Sequence, residues 1–593
     1  YFPPSSLFVI IERMNIETAK TAPVLTIGVG GAAGDGVREA AVHVAEFAQH
    51  IGNYAFLAFY YPSLIRGGHN FGRVSYSADP VYADHGRLDV LVSLNGESVR
   101  IRKPEFDEKT IVLVESTFAA EAQKEWAGAL ALPMNALVKE LNAPHAAAPS
   151  VGIGALAYVM GLSRDAFLAV APIVFSDLVG GREVNVALAT KGYDLALEGK
   201  FPVRADLHST PREAPGLLIE GNKATAKGLL AAGLQFYVGY PMTPSTSILT
   251  FLAKEASQGR LKVIHPEDEI AVFTMALGGA YAGARTAIGT ANGGFALMQE
   301  AFSFAGVSEL PIAAVVSQRQ GPATGVATHT GQSDLRFVIH AGHGEFPRLV
   351  MAPGDVDECF ETGAAALNLA WKYQLPTIVL LDKHISESQG TTKLDMETPR
   401  TEPYAEWVPE IAPEYKRFAN TESGVSPIAF PGTPNVHAKA TSYEHNEDGA
   451  SVDQAPEVLL MQEKRWRKLD GLRSEFAHYD TLKVFGDQAS ETAVVFWGST
   501  KGAVLEAAKY MHTPLRFVQI IWMEPFDEDG VMAALSGAKR VVVIEGNHGS
   551  QLAGLIREKT GITATETITK YDSEPFEPLA LAAQLRALFG EAV

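Results

Sequence analysis

The feature that most narrows the fold of this chain is an alternation. Short apolar runs ending in glycine or proline alternate with stretches of helical period, and the pattern recurs in three blocks. The first opens with PVLTIGVGG, a buried strand, followed by GVREAAVHVAEFAQHIG with Val37, Ala40, Ala41, Val44, Phe47, Ala48 and Ile51 at helical spacing. YAFLAFYY, DVLVSLNG and TIVLVES are its further strands. The second block has LQFYVGYP, TAIGTA, PIAAVVS, FPRLVMAP and LPTIVLLD, and the third has TAVVFWGS, LRFVQIIWM and KRVVVIEGN. Alternation of this kind predicts an α/β protein of three successive doubly wound, mostly parallel domains. At 593 residues the chain is too long for one core.

The expected units are residues 21–205, 217–390 and 486–593. A polar, proline-containing linker is expected at 206–216, and a long irregular arm rich in Pro, Glu, Ser, Asn and Gly at 391–485. Such an arm usually wraps a neighbour or covers a site. Residues 1–20 read as an N-terminal arm or a non-native start.

Charge and cysteine content exclude several classes. Lys plus Arg number 49 against 68 Asp plus Glu, a net charge of −19, which argues against a nucleic-acid binder. Cys359 stands alone, so the chain has no internal disulfide and cannot by itself supply the four thiolates of an iron–sulfur cluster. Any such cluster must sit on another subunit. No apolar run approaches the ~18 residues of a membrane span, and the chain is expected to be cytoplasmic.

Two glycine motifs invite a nucleotide reading. In GVGGAAGDG, Gly28, Gly30 and Ala33 fit a loose dinucleotide pattern after a strand. The next strand carries Tyr and Pro where the ribose-binding acid should stand. The segment therefore reads as a tight strand-to-helix turn with an anion-friendly helix start. LIRGGHNFGRV, with Arg66 and His69 around two glycines, reads as a bulge or hairpin turn, with contact to a phosphate-bearing ligand as the functional alternative.

The most informative stretch is HPEDEIAVFTMALGGAYAGAR. Pro266 suits a first helical position, and Glu267, Asp268 and Glu269 would favour the positive end of the helix dipole by roughly 0.3–1 kcal/mol each. From Ile270 to Ala284 no residue is charged. A helix apolar all round is buried on all sides, so its acidic start is expected to open into the interior or an interface. Glu269 lies nearest the apolar stretch, where loss of solvent raises a carboxylate's proton affinity and suits it to share a proton with a ligand nitrogen. GYPMTPST, TANGGFALM and SQRQGPATGVATHTGQSD each follow the carboxyl end of a strand, where doubly wound sheets bind ligands. Arg319 is the obvious carboxylate anchor among them.

In this order, YPMTPST, HPEDEIA, TANGGFALMQEA, RQGPATG, GQSDL, HGEFPR and YQLPTIVLLD closely resemble the α part of the 2-oxoacid:ferredoxin oxidoreductases, specifically the 2-oxoglutarate type. GVGGAAGDGV and IRGGHNFGRV make the first unit resemble the γ part of the same family. The arm TESGVSP…YEHNEDG and the ending EGNHGSQLAGLIRE also fit, so the resemblance spans residues 21–593 as a fused γ–α chain. Met242 departs from the usual Ile, and Asn292 and Gly294 from the usual Ser and Pro.

The resemblance implies a γ domain, a thiamine pyrimidine-binding domain and a transketolase-C-terminal-like domain in the three units. It implies that Glu269, with Glu267 as second choice, hydrogen-bonds the aminopyrimidine of thiamine diphosphate and promotes loss of the thiazolium proton. Thr243 and Arg319 would contact the substrate, and Tyr240, Pro241, Asn292 and Gly293 the cofactor. A second carboxylate, as in 2-oxoglutarate, would need a further cation or donor; His343, Arg336, Arg348 and partner groups are the candidates. The chain lacks both the Gly-Asp-Gly signature for metal and diphosphate and the cluster cysteines. Mg2+ and a [4Fe-4S] cluster are therefore expected on a β subunit, with no metal on this chain and an (αβ)2 heterotetramer. The implied reaction converts 2-oxoglutarate and coenzyme A to succinyl-CoA and carbon dioxide while reducing ferredoxin, or the carboxylating reverse, as in a reductive TCA cycle. Pyruvate or another 2-oxoacid is the alternative substrate. A non-catalytic nucleotide- or flavin-binding regulatory subunit is the alternative of another class.

Overall fold

The computed structural model describes all residues except 1–21, 63–67, 176–179, 205–213, 260, 404–414, 435, 437 and 592–593. The N-terminal arm, Arg66 and most of the expected linker lie outside the described residues.

The three blocks form three sheets. Apolar β-branched runs build their centres: Ile111–Glu115, Ile312–Gln318 and Pro376–Asp382 are buried along their whole length, as central strands covered on both faces require. The sheets are mostly parallel, as the alternation predicts, but the first is mixed. Leu130–Leu132, Ile111–Glu115, Val90–Ser93 and Leu25–Ala32 run parallel, and His69–Ser77 then joins Leu25–Ala32 antiparallel. The segment HNFGRV, expected as part of a turn, is the start of this nine-residue strand. It pairs with Tyr54–Tyr60 as a hairpin, and two strands joined by a short connection must be antiparallel.

The units interlock through shared strands. Leu217–Glu220 and Gln389–Thr392, at the two ends of the second block, pair antiparallel with each other and extend the first sheet beside Tyr54–Tyr60. Trp522–Glu524, from the third block, lies antiparallel on the edge of the second sheet against Leu349–Met351. The third sheet runs Leu482–Gly486, Arg516–Ile520, Thr492–Trp497, Arg540–Glu545 and Glu566–Thr569.

The 391–485 arm is not wholly irregular. It contains the 20-residue helix Ala455–Ser474, whose buried residues are Met461, Lys464, Arg465, Lys468, Leu469 and Leu472. Three of these six are cationic, so no apolar stripe marks the helix in the sequence. Lys464 donates to Glu309 at 2.7 and 2.9 Å, and Lys468 pairs with the same carboxylate at 2.5 Å. Arg417 of the arm donates to the Glu309 carbonyl and the Gln374 side chain, each at 2.9 Å. This buried ionic cluster pins the arm to the second unit.

The second sheet sets the site. Its order is Trp522–Glu524, Leu349–Met351, Pro376–Asp382, Ile312–Gln318, Thr286–Ala291, Phe236–Gly239, Lys262–Ile264. The chain leaves Phe236–Gly239 outward to the edge strand Lys262–Ile264, returns to Thr286–Ala291 on the other side, and continues the opposite way. The carboxyl ends of Phe236–Gly239 and Thr286–Ala291 therefore flank a topological switch point, where open α/β sheets form their ligand crevice. Among the described residues no helix is long and apolar enough to cross a membrane.

Candidate active site at the switch point

The acidic stretch enters the crevice from the edge strand. The helix begins at Glu269, not at Pro266. Asp268 caps it, its Oδ1 accepting from the Ala271 backbone N–H at 2.7 Å, and an aspartate cap of this kind competes successfully for the helix start. This places the three acids differently. Asp268 and Glu267 are exposed, whereas Glu269 is only 6% exposed. Glu269 is therefore the one carboxylate of the three that is removed from solvent, and it forms no ion pair with a described residue.

The helix is not buried all round in this chain. Phe273, Leu277, Val272, Ala276 and Ala280 face the core, but Ile270 is 51% and Met275 40% exposed, and Thr274 and Gly278 share their side. The uncharged sequence thus contains one covered face and one uncovered apolar strip, which a count of charges does not distinguish.

Around Glu269 the strand ends converge. A Cβ built on Gly294 would lie 2.2 Å from Thr290 Oγ1, 2.9 Å from Glu269 Cγ and 3.0 Å from Met242 Sδ. Glu269, Met242, Thr290 and Gly294 therefore share one contact, and the bulk of Met242 is accommodated beside a residue with no side chain. Gly293 is open: the nearest atom to its hypothetical Cβ is the Ala323 carbonyl oxygen at 3.9 Å, so a ligand can approach its backbone. Asn292 is buried and donates to the Arg319 carbonyl at 2.9 Å. Arg319 Nη1 donates to the Thr243 carbonyl at 2.7 Å, while Arg319 Nε is buried without a partner among the described residues. Burial lowers the Arg319 pKa. Tyr240 stands edge-on to His265, ring centroids 5.6 Å apart, and Pro241 is exposed at the rim. The structure thus gathers Glu269, Thr243, Arg319, Asn292 and Gly293, with Tyr240 and Pro241 at the margin of the same loop; Glu267 points to solvent.

The three further cations proposed for a second carboxylate are engaged elsewhere. Arg348 is buried on the Phe346 ring at 4.1 Å and donates to the Ala341 carbonyl. Arg336 bridges to Glu558 at 2.5 Å, and the exposed His343 pairs with Glu300 at 2.7 Å.

Two residues of the site escape sequence reasoning. Asp334 sits within the quoted GQSDL motif; its side chain is hydrogen-bonded to Asn292, its Oδ2 is buried without a partner, and burial pushes its pKa to about 6. The motif itself was the available signal. Asn222 donates to the Pro244 carbonyl at 2.7 Å and to Ser247 at 2.9 Å, holding the Thr243 turn from behind. It lies some 20 positions upstream in EGNKATAKG, which carries no local signal.

The first glycine motif is the end of strand Leu25–Ala32, through Gly28 and Gly30, followed by the turn from Ala33 to Gly36. Gly36 adopts φ 78°, and a Cβ there would lie 2.6 Å from the Ala146 carbonyl oxygen. The 145–147 segment thus covers this helix start, and His145 reaches Asp35 at 3.4 Å.

Comparison with known proteins places the chain in a family. Residues 227–464 match the family described as pyruvate flavodoxin/ferredoxin oxidoreductase, thiamine diP-binding, and residues 26–195 that described as pyruvate ferredoxin/flavodoxin oxidoreductase. The chain is 30% identical to the 2-oxoacid:ferredoxin oxidoreductase subunit alpha of Sulfolobus sp, over 92% of this chain and 94% of that protein. It is 28% identical to 2-oxoglutarate synthase subunit KorA of Methanothermobacter thermautotrophicus, over 61% of this chain and 95% of that protein. The solved 2-oxoglutarate:ferredoxin oxidoreductase of Magnetococcus marinus superposes with a TM-score of 0.84 at 29% identity, covering 95% of this chain and 99% of that one. Ordered motifs, a buried glutamate at the switch point, and matches along nearly the whole chain lead to one assignment: this chain belongs to the 2-oxoacid:ferredoxin oxidoreductases, as a chain of their α-subunit type.

Proposed function

We propose that this chain is the α subunit of a thiamine-diphosphate-dependent 2-oxoglutarate:ferredoxin oxidoreductase. With a β subunit it would convert 2-oxoglutarate and coenzyme A to succinyl-CoA and carbon dioxide, passing two electrons through a [4Fe-4S] cluster to ferredoxin, or run the carboxylating reverse. The observation that carries this reading is the burial of Glu269 beside Met242, Thr290 and Gly294 at the switch point.

The residues present fit the pyrimidine end of the cofactor. Glu269 has a carboxylate with no ion-pair partner in a solvent-poor place, and Gly293 leaves its backbone open to a ring. Thiamine diphosphate, when bound, supplies the electron sink for decarboxylation. Glu269 would hold or accept a proton at its carboxylate toward a ring nitrogen, and the apolar helix behind it keeps water away. Tyr240, Pro241 and Asn292 would line the ring's approach. Arg319 would bind the carboxylate next to the 2-oxo carbon, because its Nε is a buried donor without an acceptor. Its Nη1 contact to the Thr243 carbonyl aligns that turn with the substrate.

Arg336, Arg348 and His343 are committed to other contacts, so the second carboxylate of 2-oxoglutarate would be met by the partner. The uncovered strip of Ile270, Thr274, Met275 and Gly278 starts one residue from Glu269, and its position suits a β subunit closing the site and bringing the diphosphate-bound Mg2+. The resemblance adds to this reading an (αβ)2 heterotetramer in the cytoplasm. The test is anaerobic purification with the co-purifying partner, followed by carbon dioxide release from 2-oxoglutarate and from pyruvate with a dye acceptor. Turnover of 2-oxoglutarate supports the reading, turnover of pyruvate alone redirects the substrate, and bound flavin without decarboxylation refutes it.

A further inference from the structure

A second cavity lies away from the Glu269 crevice, at the junction of all three units. It has a volume of about 330 Å3, within the range of small-molecule sites, which favour domain junctions. Tyr54, Phe56 and Tyr82 come from the first unit, Val356 and Ile385 from the second, and Ser499 from the start of the third-unit helix Thr500–Ala508. The wall is thus mainly aromatic and aliphatic.

The charges that reach it are not equally available. Lys501 is buried and is held by Asp355 and by Glu358, the latter at 2.5 Å. Asp355 in turn caps the helix Val356–Tyr373, accepting from the Glu358 N–H at 2.9 Å. His384, 3.9 Å from Asp84, has its pKa lowered by burial. Lys393 is exposed at the rim, its Nζ 5.2 Å from the centroid of the Tyr54 ring. Asp357 differs from all of these. It is half-buried in the cavity wall, Thr392 hydrogen-bonds its carboxylate, and no cation among the described residues pairs with it. A half-buried carboxylate without a counter-ion is a ready acceptor for a ligand's charged donor.

A carboxylate with no ion pair, set in an aromatic wall, is complementary to an organic cation. We infer that this junction cavity is a binding site for a small molecule carrying a protonated amine on an aromatic or aliphatic body, with Asp357 as the ammonium acceptor and Tyr54, Phe56 and Tyr82 enclosing the body. The site is independent of the thiamine reading, and a bound molecule would touch all three units at once.

The test uses the full chain with its co-purifying partner and isothermal titration with tyramine and its neutral isostere 4-ethylphenol. Tyramine should bind with a Kd below about 1 mM, at least about tenfold more tightly than 4-ethylphenol. Asp357→Asn should lose this preference while melting normally. Gly390→Val is the second variant: a Cβ there meets only Val356, at 3.4 and 3.5 Å, so it is tolerated by the backbone while occupying the cavity, and it should weaken both ligands. The inference is overturned if tyramine fails to bind at about 10 mM, if the two ligands bind alike, or if Asp357→Asn binds tyramine as the parent does.

Discussion

Glu309 and Glu269 are both buried glutamates, and their surroundings treat them in opposite ways. Glu309 is 1% exposed and is met by Lys464 and Lys468, with Arg417 on its own carbonyl. The adjacent ammonium groups hold its carboxyl well below the usual range, and burial brings Lys468 down to about 7. Glu269 is almost as well buried, but no described cation pairs with it, and nearby Arg319 Nε and Asp334 Oδ2 are also buried without partners. A completed set of partners marks architecture. An incomplete set, kept at a crevice, marks a place where something else supplies the missing groups.

That contrast breaks most visibly at Glu269. Glu269→Gln should reduce turnover by about 10²–10⁴-fold while leaving the melting temperature and assembly unchanged; near-normal turnover would remove the functional half of the comparison. The architectural half is tested by Glu309→Gln, which leaves two buried lysines without their counter-ion. A loss of ~3–5 kcal/mol in chemical denaturation is expected, with activity per folded molecule retained. Arg319→Lys keeps the charge but loses the planar fork, so KM for the 2-oxoacid should rise about tenfold or more with a smaller change in kcat.

The two regions should also answer pH with opposite signs. Glu309 has a depressed pKa, so its stabilisation is complete above the ordinary glutamate range and is lost as pH falls below it. Asp334 has a raised pKa of about 6, so the folded state holds its proton more tightly than the unfolded chain. Its contribution therefore turns unfavourable as pH rises from the ordinary aspartate range toward 6. Asp334→Asn should flatten that part of the stability profile by on the order of 1–3 kcal/mol, read from urea melts across the window; an unchanged slope would contradict the assignment. The smallest effect belongs to Glu267. Exposed and outside the helix, it should tolerate Gln within about 0.5 kcal/mol and without loss of turnover.

Much of the fold is legible locally. The buried strands are runs of Val, Ile and Leu, and helix Val37–His50 buries six of the seven residues that its helical period places on one face, with Ile51 buried just beyond its end. The candidate site was legible to the extent that its parts lie in strand-end loops, which is why Thr243 and Arg319 could be named from the residues, whereas Asn292 was reached only through the resemblance. Lys262–Ile264 was not, because three residues, none of them buried, carry no apolar run. Helix Ala455–Ser474 was hidden for a different reason: its inward stripe includes Lys464, Arg465 and Lys468, whose burial depends on Glu444 of the same arm and on Glu309 of the second unit, far away in sequence.

Local order of residues by itself determined the α/β class, the three successive sheets and a carboxylate at the entrance of an uncharged helix, because burial on a strand or helix imposes a period that neighbours in sequence must obey. Only the tertiary structure decided which carboxylate is shielded, since the Asp268 cap moves the helix start and turns Glu267 outward. It alone decided that strands are exchanged between units, that Asp334 and Asn222 join the site, and that a cavity with an unmatched Asp357 lies where the units meet. The strand exchange and the cavity depend on contacts between residues hundreds of positions apart, and the shorter-range contacts of Asp268, Asn222 and Asp334 follow no period that neighbouring residues record.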